Sequence, residues 1–326
     1  MLLLLVANAA AEEQRVRIGT IIPEGTPWAR ELKALQRDAE SAAGGDLHLK
    51  WYLGGIAGDE LEMAERVRRD QLDGVLSGGM LCERLAPSMR VIRIPGLLQT
   101  WEETAYVLGR LRGVFEKEAQ QGGFAYIAET IVGPSIVFAR SPVNDLADLK
   151  KSRFWVWDTD TVLRRMLPEI GVSVVPLPIN DAGRAYDAGQ IDGFITPAAA
   201  ALGFQWSARV RYHADLRMGF IAGCLLVANR AFDALPRRGQ QALRDAAAKT
   251  SAHWRETGRA QEEELLGGLF RRQGVRPMAV SNGFRGTFLG AARTARERVG
   301  AAVVPDELTQ RVLSMLADFR AERLAP

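Results

Sequence analysis

The chain has 326 residues, of which 47% are apolar and 25% charged, with a formal net charge of +3 at neutral pH. That length exceeds what a single hydrophobic core usually organises, so two lobes are expected. The composition is that of an ordinary globular protein. So small a net charge, with both signs interleaved, leaves no electrostatic footprint for nucleic acid.

In chain order, residues 1–12 are rich in Leu and Ala and read as the apolar region and small-residue cleavage site of a secretory signal. The basic residues that normally open such a signal are missing, so the segment reads as a remnant; a frayed apolar terminus is the plainer alternative. No other stretch approaches the roughly 20 apolar residues of a membrane span. Residues 15–22 then alternate as a first strand, broken by Pro23-Glu24-Gly25-Thr26-Pro27. Trp28 opens an amphipathic helix over residues 29–42. Residues 47–53 alternate as a second strand, and Gly54 to Glu60 lead into a helix over residues 61–69. Residues 71–79 form a third strand ending in Ser77, Gly78 and Gly79, where small residues let a ligand or another backbone come close.

The apolar run of residues 91–98 precedes a helix from Trp101 to Glu118. Residues 124–130 and 135–139 read as strands crossing from one lobe to the other, and residues 219–228 as the return. Between them, residues 145–206 follow the order strand, helix, strand, helix, short strand, which is the grammar of an α/β lobe. Ligands of such lobes bind where strand ends meet loops. From Leu235-Pro236 a helical pattern runs to about Arg272; some 36 residues would span about 54 Å if unbroken. Gly258 and the pair Gly267-Gly268 are where it would bend.

Chemistry of the catalytic kind has no visible carrier. His48, His213 and His253 are scattered without ligand spacing, and no nucleophile elbow, zinc-protease or phosphate-loop sequence is present. The expectation is therefore no enzyme, no cofactor and no metal. Cys82 and Cys224 both lie in apolar runs and read as buried free thiols, with a disulfide as the alternative in an oxidising compartment. Binding has better support. Arg153, Trp155 and Trp157 alternate along one strand and so share a face, which would suit the wall of a cleft; a packed face with Arg153 at its rim is the plainer reading.

The run Asp148-Leu149-Lys150 through Trp157, then Gly171 to Pro178, then Gly189 to Pro197, resembles in order the solute-binding subunits of tripartite ATP-independent periplasmic (TRAP) transporters. Gly55, Gly58, Asp59 and Glu60 match that family's "G-x-x-G-D-E", and residues 91–98 its "L-P-F-L-F" region. The resemblance covers about residues 15–320. It implies a two-lobed α/β periplasmic binding protein fold with hinge strands and a long spine helix across both lobes. Lobe I would take residues 13–132 and 217–255, and lobe II residues 133–216 and 256–326. It also implies a periplasmic monomer that closes on a small organic solute and docks on the membrane subunits of a TRAP permease.

The resemblance also marks departures. Where most such receptors carry the arginine that pairs with a substrate carboxylate, this chain has Trp155. A second arginine of the family becomes Ser135, and the asparagine before proline becomes Thr196. An indole cannot compensate a desolvated carboxylate as a guanidinium does. A neutral, cyclic or partly apolar ligand stacked on Trp155 is therefore expected, with a monocarboxylate held by Arg153 as the alternative. Trp28, Ser77 and Gly78 should line the first-lobe side, Ile179 the second, and Phe220 the crossing. Three rivals stand beside this reading: a receptor for an ABC importer, which the long helical pattern disfavours, a periplasmic enzyme, and a sensor or interaction protein on the same scaffold.

Overall fold

Alternation in the sequence turns directly into burial at β1 (Arg15–Thr20), where Val16 and Ile18 enter the core. A computed structural model describes residues 15–324, and the signal-type segment read over residues 1–12 lies outside them. β1 pairs in parallel with β2 (His48–Tyr52) and with β3 (Gly74–Ser77). Parallel neighbours need crossovers, supplied by α1 (Pro27–Ala43) and α2 (Glu60–Arg68). Both helices start on side-chain caps. Thr26 accepts from the Ala29 N–H, with Pro27 in the first turn, and Asp59 forms a capping box with Glu62.

Short α3 (Met80–Leu85), a 3-10 helix over Pro87–Arg93 and the long α4 (Trp101–Gln121) precede β4 (Phe124–Pro134). β10 (Phe220–Ala228) inserts antiparallel between β3 and β4, giving the first sheet the order β2-β1-β3-β10-β4. The second sheet has the order β11-β9-β5-β8-β6-β7. Its members are β5 (Ile136–Ala139), β6 (Arg153–Trp157), β7 (Ser173–Leu177), β8 (Gly193–Thr196), β9 (Tyr212–Ala214) and β11 (Arg276–Met278). Helices α5 (Leu146–Lys151), α6 (Leu163–Ile170), α7 (Ala182–Asp187) and α8 (Ala198–Gly203) connect them. Two of the chain's crossings between the sheets run side by side: Ser135 N–H donates to Gly219 O, and Met218 N–H to Ser135 O, each at 2.8 Å.

After α9 (Asn229–Asp233), α10 (Arg237–Glu264) begins the expected spine. It continues through a π-helical turn, Leu265–Leu269, into α11 (Phe270–Arg272), so the helix is unbroken over residues 237–272. It packs on α1 and β4 at one end, while Leu265, Leu269 and Phe270 join the second lobe's core at the other. The helix is continuous through Gly258, whose bare Cα makes room for the ring of Trp101. Gly267 and Gly268 lie within the π-turn, where an extra residue widens the helix. α12 (Asn282–Val299) packs against α6. The C-terminal α13 (Asp306–Leu324) instead lies on α4: the rings of Tyr106 and Phe319 are 4.7 Å apart, and Arg320 Nε reaches Glu103 at 2.7 Å. Giving all of residues 256–326 to the second lobe therefore overlooked this return to the first.

One expectation about the core fails. Cys82 on α3 and Cys224 on β10 are joined by a disulfide, with Cα atoms 5.9 Å apart, and are not free thiols. The antiparallel pairing of β10 with β3 sets Cys224 opposite Ser77, at the turn from which α3 departs. That long-range register is invisible in a sequence where the two cysteines lie 142 residues apart. Among the described residues, no helix is long and apolar enough to cross a membrane.

Candidate functional site

The parallel strands β1, β3, β6 and β8 all end at one cavity of about 860 Å³ between the sheets. Strand carboxyl ends are where an open α/β sheet presents a ligand site, because the loops that follow are free to vary over a fixed scaffold. From the first lobe come Ile21 to Trp28 after β1, Ser77 at the end of β3 and Gly78 just beyond it. From the second come Trp155, Trp157, Ile179 and Thr196, with Phe204 and Trp206 beyond α8. The spine helix contributes Trp254, Glu262, Leu265 and Leu269.

On the first-lobe side, the small residues are held by a buried carboxyl. Glu60 accepts from Ser77 Oγ at 2.6 Å, from Leu81 N–H at 2.9 Å and from Gly78 N–H. Ser77 Oγ in turn accepts from Gly79 N–H at 3.0 Å. The serine hydroxyl is thus engaged within the protein, and burial pushes the Glu60 carboxyl up from its ordinary pKa. A Cβ on Gly78 would come within 3.2 Å of Glu60 Oε1, so glycine keeps this shelf flush with the cavity.

The second-lobe wall is aromatic. Trp155 is 4% exposed, and its Nε1 donates to Leu177 O at 3.0 Å. Its ring centroid lies 4.8 Å from that of Trp206, which stacks on Phe194 at 4.7 Å with nearly parallel planes. The Trp155 N–H is already satisfied, so this residue offers a ligand only an indole surface. Trp157, half-buried, stands two residues closer to the strand end on the same face.

Three expected site residues stand elsewhere. Arg153 shares the face of Trp155, but toward the start of β6, about 6.6 Å per two residues away from the ligand end. Its side chain is 49% exposed, pairs with Asp192 at 3.1 Å and donates to Gly189 O at 2.8 Å. It does not line the cavity, which removes it as a clamp for a ligand carboxylate. Ser135 is buried at the crossing between the sheets, outside the cavity lining. Phe220 is 0% exposed and packs edge-on against Trp101, 6.1 Å between centroids; its strand neighbour Ile221 faces the cavity instead. The alternation of β10 puts successive residues on opposite faces, and the sequence does not say which parity faces the ligand.

Several lining residues escaped the sequence. Arg93 at the end of the 3-10 helix and Asp160 beyond β6 are both buried and form an ion pair across the lobes. A lone charge inside the apolar run of residues 91–98 was the available signal, since such a residue must find a partner. Glu262 is 9% exposed and accepts from Trp101 Nε1 at 2.7 Å. Burial drives its pKa up to about 7, while the Trp101 hydrogen bond and the charge of Arg217 pull the other way. Among the described residues, no group of three His, Cys, Asp or Glu side chains is placed to hold a metal ion.

Comparison with known proteins agrees with this architecture. The family model described as "Bacterial extracellular solute-binding protein, family 7" (DctP) matches residues 18–295. A solute-binding protein of Chromohalobacter salexigens is 21% identical over 274 residues, covering 82% of this chain and 81% of its own. Among solved structures, DctP7 of Bordetella pertussis, an extracytoplasmic solute receptor binding pyroglutamic acid, superposes with a TM-score of 0.81 at 19% identity, covering 92% of this chain and 99% of that one. A TRAP periplasmic solute-binding protein of Desulfovibrio salexigens with bound orotic acid gives 0.83 at 18% identity, covering 94% and 99%. The proteins of this family are receptors that bind small organic solutes outside the cytoplasm; they are not enzymes. With most of its length matched and two lobes meeting at a cleft, the chain belongs to family 7 of the bacterial extracellular solute-binding proteins.

Proposed function

We propose that the protein captures a compact solute that is neutral and cyclic or partly apolar, in the cleft between its lobes, and delivers it to a TRAP permease in the membrane. The observation that carries this reading is the indole wall of Trp155, Trp157 and Trp206 along the cavity, with Trp155 at the position where the family resemblance leads one to expect an arginine. A flat apolar face offers dispersion and edge contacts to a ring, and nothing that repays the desolvation of an anion. The proposed contacts are Trp28, Ser77 and Gly78 from the first lobe and Trp155, Trp157, Ile179 and Thr196 from the second. Contacts on both sides favour a closed state over an open one, because a ligand shifts a hinge equilibrium only by binding one state better. Two solved relatives bind cyclic ligands, pyroglutamic acid and orotic acid; both are acids, so they support the ring and not its neutrality.

The test is a thermal-shift screen of the purified chain against linear dicarboxylates, sugar acids and neutral ring compounds. A true ligand raises the unfolding midpoint with concentration, through mass action on the folded state. Shifts confined to neutral rings are expected. A shift with succinate or a sugar acid, and none with neutral rings, would overturn the stacked-ring reading.

A further inference from the structure

The cavity contains a buried cation with unused donors. Arg93 is 1% exposed and lines the cavity. Its Nη2 bonds Asp160 Oδ2, and its Nη1 stands 3.6 Å from Glu83 Oε1, in ion-pair range only. Nε and Nη1 meet no hydrogen-bond acceptor among the described residues. A guanidinium carries only N–H donors and no acceptor, so Nε and Nη1 can be satisfied only by an acceptor. A buried charged donor without an acceptor is a standing penalty that a ligand oxygen would relieve.

Its position is set by the strand that carries the indole wall. Asp160 N–H donates to Trp157 O at 2.9 Å, so a tight turn brings the aspartate back beside Trp157. Asp160 Oδ1 then caps α6, accepting from Val162 and Leu163 N–H at 3.0 and 2.8 Å, which leaves Oδ2 for Arg93. The guanidinium is thereby anchored at the carboxyl end of β6, the end that Arg153 does not reach. Its charge already has counterparts. Asp160 and Glu83 face Arg93, and Arg90 on the same 3-10 helix acts on Glu83. Asp160 already pairs directly with the guanidinium, so no unpaired positive charge faces an arriving anion.

We infer that Arg93 is the donor that orients the ligand, and that it selects an uncharged carbonyl oxygen of a ring, as in a lactam, imide or cyclic urea, over a carboxylate. The inference rests on the reading of the cleft as a ring-stacking solute site. A carbonyl supplies the missing acceptor without bringing a second negative charge against Asp160, and its ring can lie against the Trp157 face.

The experiment measures binding to the full chain by calorimetry for matched pairs: uracil against orotate, 2-pyrrolidone against pyroglutamate, hydantoin against hydantoin-5-acetate. At least one neutral member should bind about tenfold or more tighter than its acid, the scale of one charge-assisted hydrogen bond. R93M should lose that binding by about tenfold or more, and R93K, which keeps the charge for Asp160 but not the fork of donors, should lose it while still folding. Should R93M fail to fold, R93K carries the test. Acids binding tighter than their neutral partners would overturn the inference. So would unchanged neutral binding in R93K, or no binding by any of the six. The two readings fail separately: loss in W157A with no change in R93K retains the stacked ring and removes Arg93, whereas no change in either removes the ring-stacking cleft itself.

Discussion

Trp101 Nε1 donates to Glu262 Oε2 at 2.7 Å across 161 residues of sequence, tying the start of α4 to the spine helix at the edge of the ligand cavity. Burial is the larger force on this carboxyl and raises it to about 7, above an ordinary 4.5. Between those values the folded chain keeps a proton that the unfolded chain has released, so this group's contribution to stability falls as pH rises from about 4.5 to about 7. Glu262→Gln keeps an acceptor for the indole and removes the titration. Relative to the parent, the variant should be about equal near pH 4.5 and more stable by roughly 1–3 kcal/mol at pH 7.5. Urea unfolding of both proteins across that range checks the sign. A variant less stable at pH 7.5 would mean that the ionised carboxylate is needed for its charge.

The disulfide between Cys82 and Cys224 closes a loop of 142 residues and fastens α3 to the returning strand β10. Loop-closure entropy then favours the folded state, and the double substitution Cys82→Ser with Cys224→Ser should lose roughly 2–4 kcal/mol. Both sulfur atoms are buried, so two hydroxyls in their place add a desolvation cost in the same direction. Comparing urea midpoints of the oxidised parent, the reduced parent and the double variant separates the tether from the hydroxyl cost. A reduced parent as stable as the oxidised one would remove the tether's role.

Trp155 and Trp157 share a strand face but should respond differently. Trp155 is wedged between Phe194 and Trp206, and truncation to alanine opens a core cavity, which costs roughly 3–5 kcal/mol. Trp157 is half-buried at the cavity mouth. Trp157→Ala should leave stability within about 1–2 kcal/mol and weaken binding of a ring ligand by about tenfold, the scale of a lost aromatic contact with its buried area. Calorimetric binding beside urea unfolding distinguishes the two. Equal loss of stability in both variants would place Trp157 in the core instead of the site.

Much of this arrangement could be read from the residues, and the limits have physical causes. Strand and helix order, the crossing strands and the unbroken spine helix follow from periodicity and caps, which are local. The indole wall was legible because Trp155 and Trp157 alternate within one strand. Arg153 misled for the same reason: a strand's period fixes the face and not the end, and the cavity lies at the other end. Phe220 failed on parity, since nothing local tells which face of β10 meets the ligand. Arg93, Asp160, Glu262 and the disulfide depend on pairings between segments 67 to 161 residues apart, which only the assembled sheets set.

Glycines on two helices offer a paired test of close approach. In an exposed helix interior, Gly→Ala gains roughly 0.5–1 kcal/mol through helix propensity and the unfolded chain's lost freedom. Gly290 on α12 has nothing within 4 Å of an added Cβ, so Gly290→Ala should show that gain. Gly258 on α10 differs, because an added Cβ would lie 2.9 Å from Trp101 Cζ3 and 3.0 Å from Cη2. The ring cannot easily yield: its Nε1 is held by Glu262 and its plane packs edge-on against Phe220. Overpacking of this kind costs roughly 1–3 kcal/mol and outweighs the propensity gain, so Gly258→Ala should lower stability by about 1–2 kcal/mol. Because Glu262 lines the cavity, the displaced ring should also weaken ligand binding, an effect Gly290→Ala should lack. Unfolding and binding measurements on both variants decide it; a Gly258→Ala protein as stable as Gly290→Ala, with binding intact, would mean that the Trp101 contact yields at little cost.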